Sequence, residues 1–420
     1  MRLGVCAPGL FCDGIPPVNG VPNRHTTRYI PFYRRLKPPV TIDEALSGFV
    51  ADKRVVGGVG VVGNSCGIDT IFWKISLYVY MKLRVIIFCV IMGVSVSNIL
   101  AQDGSTAYNF LNVPVSSRVY GLGGHNITII DDDINLVEQN PALLGPECDK
   151  QIGLNYMRYI GGSNFMGLRY GNRATDHSAW AISVQYYGYG KFTGADIDGT
   201  ITGDFTANDI AFSATYSHDI NDYLRGGITL KGLYSKYEIY SAFALCADLG
   251  INYYNPDNEL SLSLVAKHLG GQLKKFNEDY DRLPWDIQLG VSKFLGTTPM
   301  CLSVTATHLT KWKLPYYTRE DVNSTTSELV EKNSFASNLF RHLTFAVEYV
   351  PSDKFYIGLG YNHKTRTDMA TYSRNFVSGF SLGAGIKTKA IGVGVAVAQP
   401  HTGATTFMAN FTLSLAGMMK

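Results

Sequence analysis

Ile391-Gly392-Val393-Gly394-Val395-Ala396-Val397-Ala398 is the stretch that decides the fold. β-Branched residues hold every second position, and glycine or alanine fills the gaps. Successive side chains of a strand point to opposite faces, so this segment has one bulky apolar face and one small face. The pattern recurs in Phe243, Leu245, Ala247, Leu249, Ile251 and Tyr253, with Ala244, Cys246, Asp248, Gly250 and Asn252 between. It runs, segment after segment, from residue 151 to residue 415. A soluble sandwich buries such faces by pairing two sheets. A membrane barrel instead turns every bulky face to lipid and every small or polar face inward. The surrounding sequence favours an all-β, transmembrane antiparallel β-barrel of about 14 strands with an N-terminal hatch or plug segment.

Residues 81–101 read as an export signal. Met81-Lys82-Leu83-Arg84 gives a positive start, residues 85–96 give a short apolar run, and Ala101 is small before a cut at Gln102. Ile99 matches the usual small residue poorly. The run falls short of the about 20 residues a spanning helix needs. Cys89 lies inside the run rather than after it, which argues against a lipoprotein anchor. Residues 1–80, with Pro16-Pro17, Arg34-Arg35 and Pro38-Pro39, read as an unrelated extension, from a mis-assigned start or disordered. Gly58, Gly60 and Gly63 match a dinucleotide-binding spacing, but no βαβ unit surrounds them, so the match is by chance. The expected division is extension 1–80, signal 81–101, hatch 102–148 and outer-membrane barrel 149–420.

Segments near 151–160, 163–171, 178–188, 207–219, 223–236, 240–254 and 259–269 alternate, as do those near 284–295, 300–309, 341–350, 354–363, 376–386, 390–399 and 405–415. Every even-numbered connection is short: 172–177, 220–222, 255–258, 296–299, 351–353 and 387–389. The long ones, 189–206, 270–283, 310–340 and 364–375, share the other parity. Barrels with short periplasmic turns and longer external loops sort their connections this way. The 310–340 connection has room for a short helix or a partner-binding surface. Near the C-terminus Phe407, Ala409, Phe411, Leu413 and Leu415 form an outward row, although Ala416 to Lys420 trail beyond it.

The inward face is rich in small residues: Ser261, Ser263, Gly358, Gly360, Gly383, Gly385, Gly392 and Gly394. Such a face leaves a wide lumen, which either holds water or is filled. The segment before the first strand, which lacks strand alternation, is the candidate filling.

That segment carries Phe110-Leu111-Asn112-Val113-Pro114, Ser117-Arg118, Leu122-Gly123-Gly124, Asp131-Asp132-Asp133 and Asn140-Pro141-Ala142-Leu143-Leu144. In these residues the chain resembles the PorQ family, outer-membrane components of the type IX secretion system of Bacteroidota. The related PorV barrels and the FadL-type transporters share a looser version, with Asn-Pro-Ala near the end of the hatch. The resemblance covers roughly residues 106–415 and is densest at its start. It implies structural motif positions at Pro114, Arg118, Gly123, Gly124, Asp131, Asp132, Asp133, Asn140 and Pro141. It further implies an anchor in the attachment complex, with PorZ, PorU and PorV-like protein partners, supporting attachment of secreted cargo to lipopolysaccharide.

The residues themselves give little chemistry. The triple Asp reads as a turn or cap more readily than a cation site, because no spaced calcium-loop pattern follows. Arg118 either pairs, with one of these acids or with inward polar groups of the barrel, or is solvated. Histidines 218, 268, 308, 342 and 363 are dispersed. Gly379, Ser381 and Gly383 match Gly-x-Ser-x-Gly, but inside an alternating strand rather than at a sharp strand-to-helix turn. Asp248 reads as a lumen acid or plug contact. Cys148, Cys246 and Cys301, an odd and scattered set, form neither a disulfide framework nor a zinc site. No enzymatic activity, metal or cofactor is expected, and the net charge of +3 has no basic tract for nucleic acid. The alternatives are a FadL-like transporter of hydrophobic molecules across the outer membrane and a passive porin. Small, polar inward rows argue against an apolar pocket.

Overall fold

The computed structural model describes residues 108–418, apart from 197, 199, 277–279, 297, 315, 324–325, 369–376 and 402–403. The extension 1–80, the signal 81–101 and the first residues of the hatch lie outside the described residues. The strands are β1 (Gln151–Arg158), β2 (Asn164–Thr175), β3 (Ser178–Ala195), β4 (Ile201–Asn221), β5 (Leu224–Tyr237), β6 (Tyr240–Asn255), β7 (Leu260–Lys274) and β8 (Asp286–Phe294). They continue with β9 (Met300–Ala306), β10 (Tyr316–Asn323), β11 (Thr326–Lys332), β12 (Leu343–Ser352), β13 (Phe355–Asn362), β14 (Phe380–Lys387), β15 (Ile391–His401) and β16 (Ala404–Ser414). Fourteen of them close an antiparallel barrel, with β1 paired to both β2 and β16. The closing register runs from Gln151 opposite Ser414 to Arg158 opposite Phe407, so the fourteen-strand sheet has no first or last strand.

The alternation predicts the lipid face correctly. Ile391, Val393, Val395 and Val397 are 42%, 47%, 41% and 44% exposed, and their partners across β16, Phe407 and Phe411, face the same way. A continuous apolar exterior has no place in water, so these faces mark the membrane-spanning wall.

The long connections are partly structured. The 189–206 segment largely extends β3 and β4 beyond the expected limits. The 310–340 connection folds into its own β10–β11 hairpin and leads into helix α2, Phe335–His342. The long connections share one end, where short turns such as that between β5 and β6 also lie, and every connection on the opposite end is short.

Candidate functional site in the barrel lumen

Residues 108–148 form four short 3-10 turns and one α-helix, α1 (Ser117–Gly121), rather than strands. Their contacts place them inside the barrel. A Cβ added at Gly360 would strike the backbone at Leu122 and Gly123, one at Gly227 would strike Pro141, and one at Gly383 would crowd Gly121. Gly153 meets Ile134 and Asn135, Gly250 meets Asn140, and Gly358 meets Leu122. Much of the small inward row therefore makes room for a second chain segment rather than for water. Glycine allows this close backbone approach because it lacks a Cβ.

Charged side chains fasten the segment to the wall. Arg118 donates from Nε and Nη2 to the two carboxylate oxygens of Glu348 on β12, at 2.7 and 2.8 Å. Its Nη1 donates to Asp131, and its guanidinium lies 4.5 Å from the centre of the Tyr356 ring. Lys387 pairs with Asp131 at 2.5 Å and with Asp132. Glu138 meets Lys231 at 2.5 Å and Arg169 at 3.4 Å, and Lys231 also reaches Asp248 at 2.8 Å. Glu147 meets Arg225 at 3.1 Å, and Asp219 takes the other side of that guanidinium at 2.5 Å. Three of these attachments join a luminal acid to a wall base, and one runs the other way. Burying charge is costly unless partners replace water, and here each has one.

The three aspartates divide the work. Asp131 and Asp132 pair with bases, whereas Asp133 caps a turn by accepting from the Asn135 backbone N–H at 3.0 Å and from Thr412 at 2.9 Å. Burial opposes the Asp131 charge, but Lys387 and Arg118 outweigh it and hold the carboxyl below its ordinary range. Asp133 goes the other way: burial raises its carboxyl pKa despite the Asn135 N–H. Among the described residues no group of His, Cys, Asp or Glu could hold a metal ion.

The remaining motif positions are structural joints. Gly123 and Gly124 have φ of +92° and +83°, a backbone L side chains rarely adopt. Gly123 N–H donates to Ser381 Oγ at 2.8 Å, and Ser381 donates to Gly121 O at 3.0 Å, so this serine anchors the segment. Asn140 caps its own turn through the Ala142 N–H at 2.9 Å and donates to Ile127 O and Ser263 Oγ. Pro141 starts that turn, where a missing N–H costs nothing. Pro114 lines a cavity of about 220 Å³ at the outer end, with Asn109, Tyr120, His125, Asn362 and Gln399.

One sequence expectation needs correcting. The lumen is not uniformly small and polar. Met157, Phe165, Tyr187, Leu233 and Met408 project inward and form an apolar cluster with Tyr108, Phe110 and Leu111. The Phe110 and Tyr187 rings lie 4.7 Å apart. These large residues sit on inward phases interrupted by glycine, alanine and serine, so a census of small residues hid them. The wall bases Arg169, Lys231, Arg225 and Lys387, and the acid Glu348, were also missed. Arg169, Lys231 and Glu348 stand at inward phases between outward neighbours, which signals their side of the wall but not their partners.

No known family profile matches the chain, and no curated protein matches it by sequence. Solved structures similar in outline include a FadL homologue of Pseudomonas aeruginosa, at 13% identity over 71% of this chain and 98% of that one, with a TM-score of 0.41. The Pseudomonas putida toluene transporter TodX is 11% identical over 74% of this chain and 96% of that one, with a TM-score of 0.43. The monoaromatic hydrocarbon channel CymD is 11% identical over 74% and 99%, with a TM-score of 0.42. The architecture is a closed fourteen-strand antiparallel barrel.

Proposed function

We propose that this barrel is an outer-membrane anchor and platform for the type IX attachment complex, holding PorZ-, PorU- and PorV-like protein partners near lipopolysaccharide. The observation that carries the reading is the fastening of the luminal segment. Arg118, Asp131, Asp132, Glu138 and Glu147 each pair with a wall residue, so opening a path means separating several buried charges. A filled lumen suits an anchor better than a conduit. The residues that carry the type IX resemblance, Arg118, Gly123, Asp131 and Asn140 among them, are those that hold the plug. The outer 310–340 connection, with its own β10–β11 hairpin, offers a surface for protein partners. Affinity capture of surface-exposed complexes from intact cells tests the reading: recovery of type IX components supports it, and their absence rejects it.

Transport of hydrophobic molecules is the second reading. It is favoured by the aromatic outer half of the lumen and the cavity beside Pro114, because such a ligand needs an apolar enclosure. Uptake of a labelled hydrocarbon by cells with and without the barrel separates the two. Transport with no captured partner would establish this reading in place of the first.

A further inference from the structure

Helix α2 is amphipathic the wrong way round for a protein in water. Its polar residues face in: Asn338, Arg341 and His342 are 3%, 2% and 2% exposed. Asn338 accepts the Leu314 N–H at 3.1 Å, Arg341 pairs with Asp368 at 2.5 Å, and the His342 ring nitrogens lie 2.7 and 3.1 Å from the carbonyls of Thr307 and Trp312. Its apolar residues face out: Phe335, Leu339 and Phe340 are 70%, 38% and 49% exposed. Trp312 joins them, half-exposed, its ring 5.3 Å from Phe335. Polar-in and apolar-out is the arrangement of the barrel wall itself.

The patch is continuous with that wall. Phe340 lies 6.4 Å from Phe345, an outward residue of β12, and beside it Tyr361 packs on Phe380 at 4.8 Å. The wall is also low here. β9, with 7 residues, is the shortest barrel strand, and β13 and β14 have 8, as does β1, against 18, 21 and 16 for β3, β4 and β6. Seven residues at about 3.3 Å each, tilted by about 40°, rise roughly 18 Å, short of the apolar band of about 25 Å. We propose that α2 with Trp312 is an interfacial lipid-binding element: its apolar face enters the outer leaflet above β9 and β12 and completes the band where the strands are too short. Tryptophan and phenylalanine at such a boundary keep an apolar body in the acyl region. The inference stands under either functional reading, since it concerns lipid alone.

The full chain carrying Trp73→Phe, Trp180→Phe and Trp285→Phe keeps Trp312 as its sole tryptophan. It is folded into phosphatidylcholine vesicles, with heat-modifiable gel migration confirming the barrel. Trp312 emission is expected at short wavelength and strongly reduced when the lipid is brominated. Emission indifferent to bromine but quenched by aqueous acrylamide overturns the proposal. If the triple variant does not fold, benzoylphenylalanine placed at Leu339 of the otherwise unaltered chain in cells decides it. A lipid adduct supports the proposal, and adducts to protein alone overturn it by making the patch a protein-docking surface.

Discussion

Arg118 and Glu348 lie 230 residues apart in sequence and meet in a two-bonded fork at 2.7 and 2.8 Å, both side chains almost wholly buried. The fork ties the short α-helix of the luminal segment to the barrel wall. A planar guanidinium matches a carboxylate in this geometry, which a lysine would not.

Removing one partner leaves the other buried without compensation. Arg118→Ala is expected to destabilise the protein by about 3–5 kcal/mol. The combined Arg118→Met and Glu348→Leu change should cost much less, because Glu348 is no longer stranded and Asp131 keeps Lys387. Urea unfolding in detergent measures both. Planar-bilayer recordings should also show current through Arg118→Ala that the unaltered chain lacks.

The inward glycines should divide into two classes. Gly360→Ala drives a methyl into the Leu122 and Gly123 backbone, whereas at Gly392 an added Cβ meets only ordinary contacts of 3.5 to 3.9 Å. Overpacking of this kind costs about 1–3 kcal/mol. Gly360→Ala should expose the luminal segment to added protease, and Gly392→Ala should not. Equal sensitivity would mean that the segment does not rest on β13.

Acid should release the segment only at low pH. The Asp131 carboxyl is held below its ordinary range by Lys387 and Arg118, which overcome the effect of burial. A depressed folded value gives stability that is full above the unfolded value of about 3.9 and lost as pH falls through the folded one. Protease protection should therefore not decline between neutral pH and about 4, since the raised Asp133 carboxyl favours the folded state as pH falls, and should decline below about 4. Asp131→Asn should reduce the acid step without abolishing it, because the Glu138 carboxyl on the same segment is also held low, against burial, by Lys231 and Arg169.

Cys148 reports on the far end of the segment. It is fully buried against Ile134, Leu144, Ala179 and Ala181, and burial raises its thiol pKa. A raised thiol is a poor nucleophile. Maleimide should leave Cys148 unmodified in the folded barrel and label it in Arg225→Ala, where Glu147 loses its partner. Peptide mass spectrometry after labelling gives the answer.

The outward half of the fold was legible from the sequence because a strand repeats every two residues and lipid accepts only apolar side chains. Val393 and Val395 show their side of the wall from their neighbours alone. The triple Asp was legible as a turn or cap, and Asp133 bonds a backbone N–H two residues on; Asn140 does the same but was legible only as a motif position. The loop ends were less so, since β3 and β4 continue into the 189–206 stretch, where hairpin pairing needs no apolar face.

The order of strands, the lipid face and the placement of long connections on one end follow from the sequence by itself, because each depends on local alternation and turn chemistry. The tertiary structure alone decided that Gly360 faces Gly123, that Glu138 lies between Arg169 and Lys231, and that Phe110 packs on Tyr187. Those contacts join residues far apart in the chain across a lumen. Their partners are chosen by barrel closure and by the need to pair every buried charge, and neither leaves a periodic mark on the sequence.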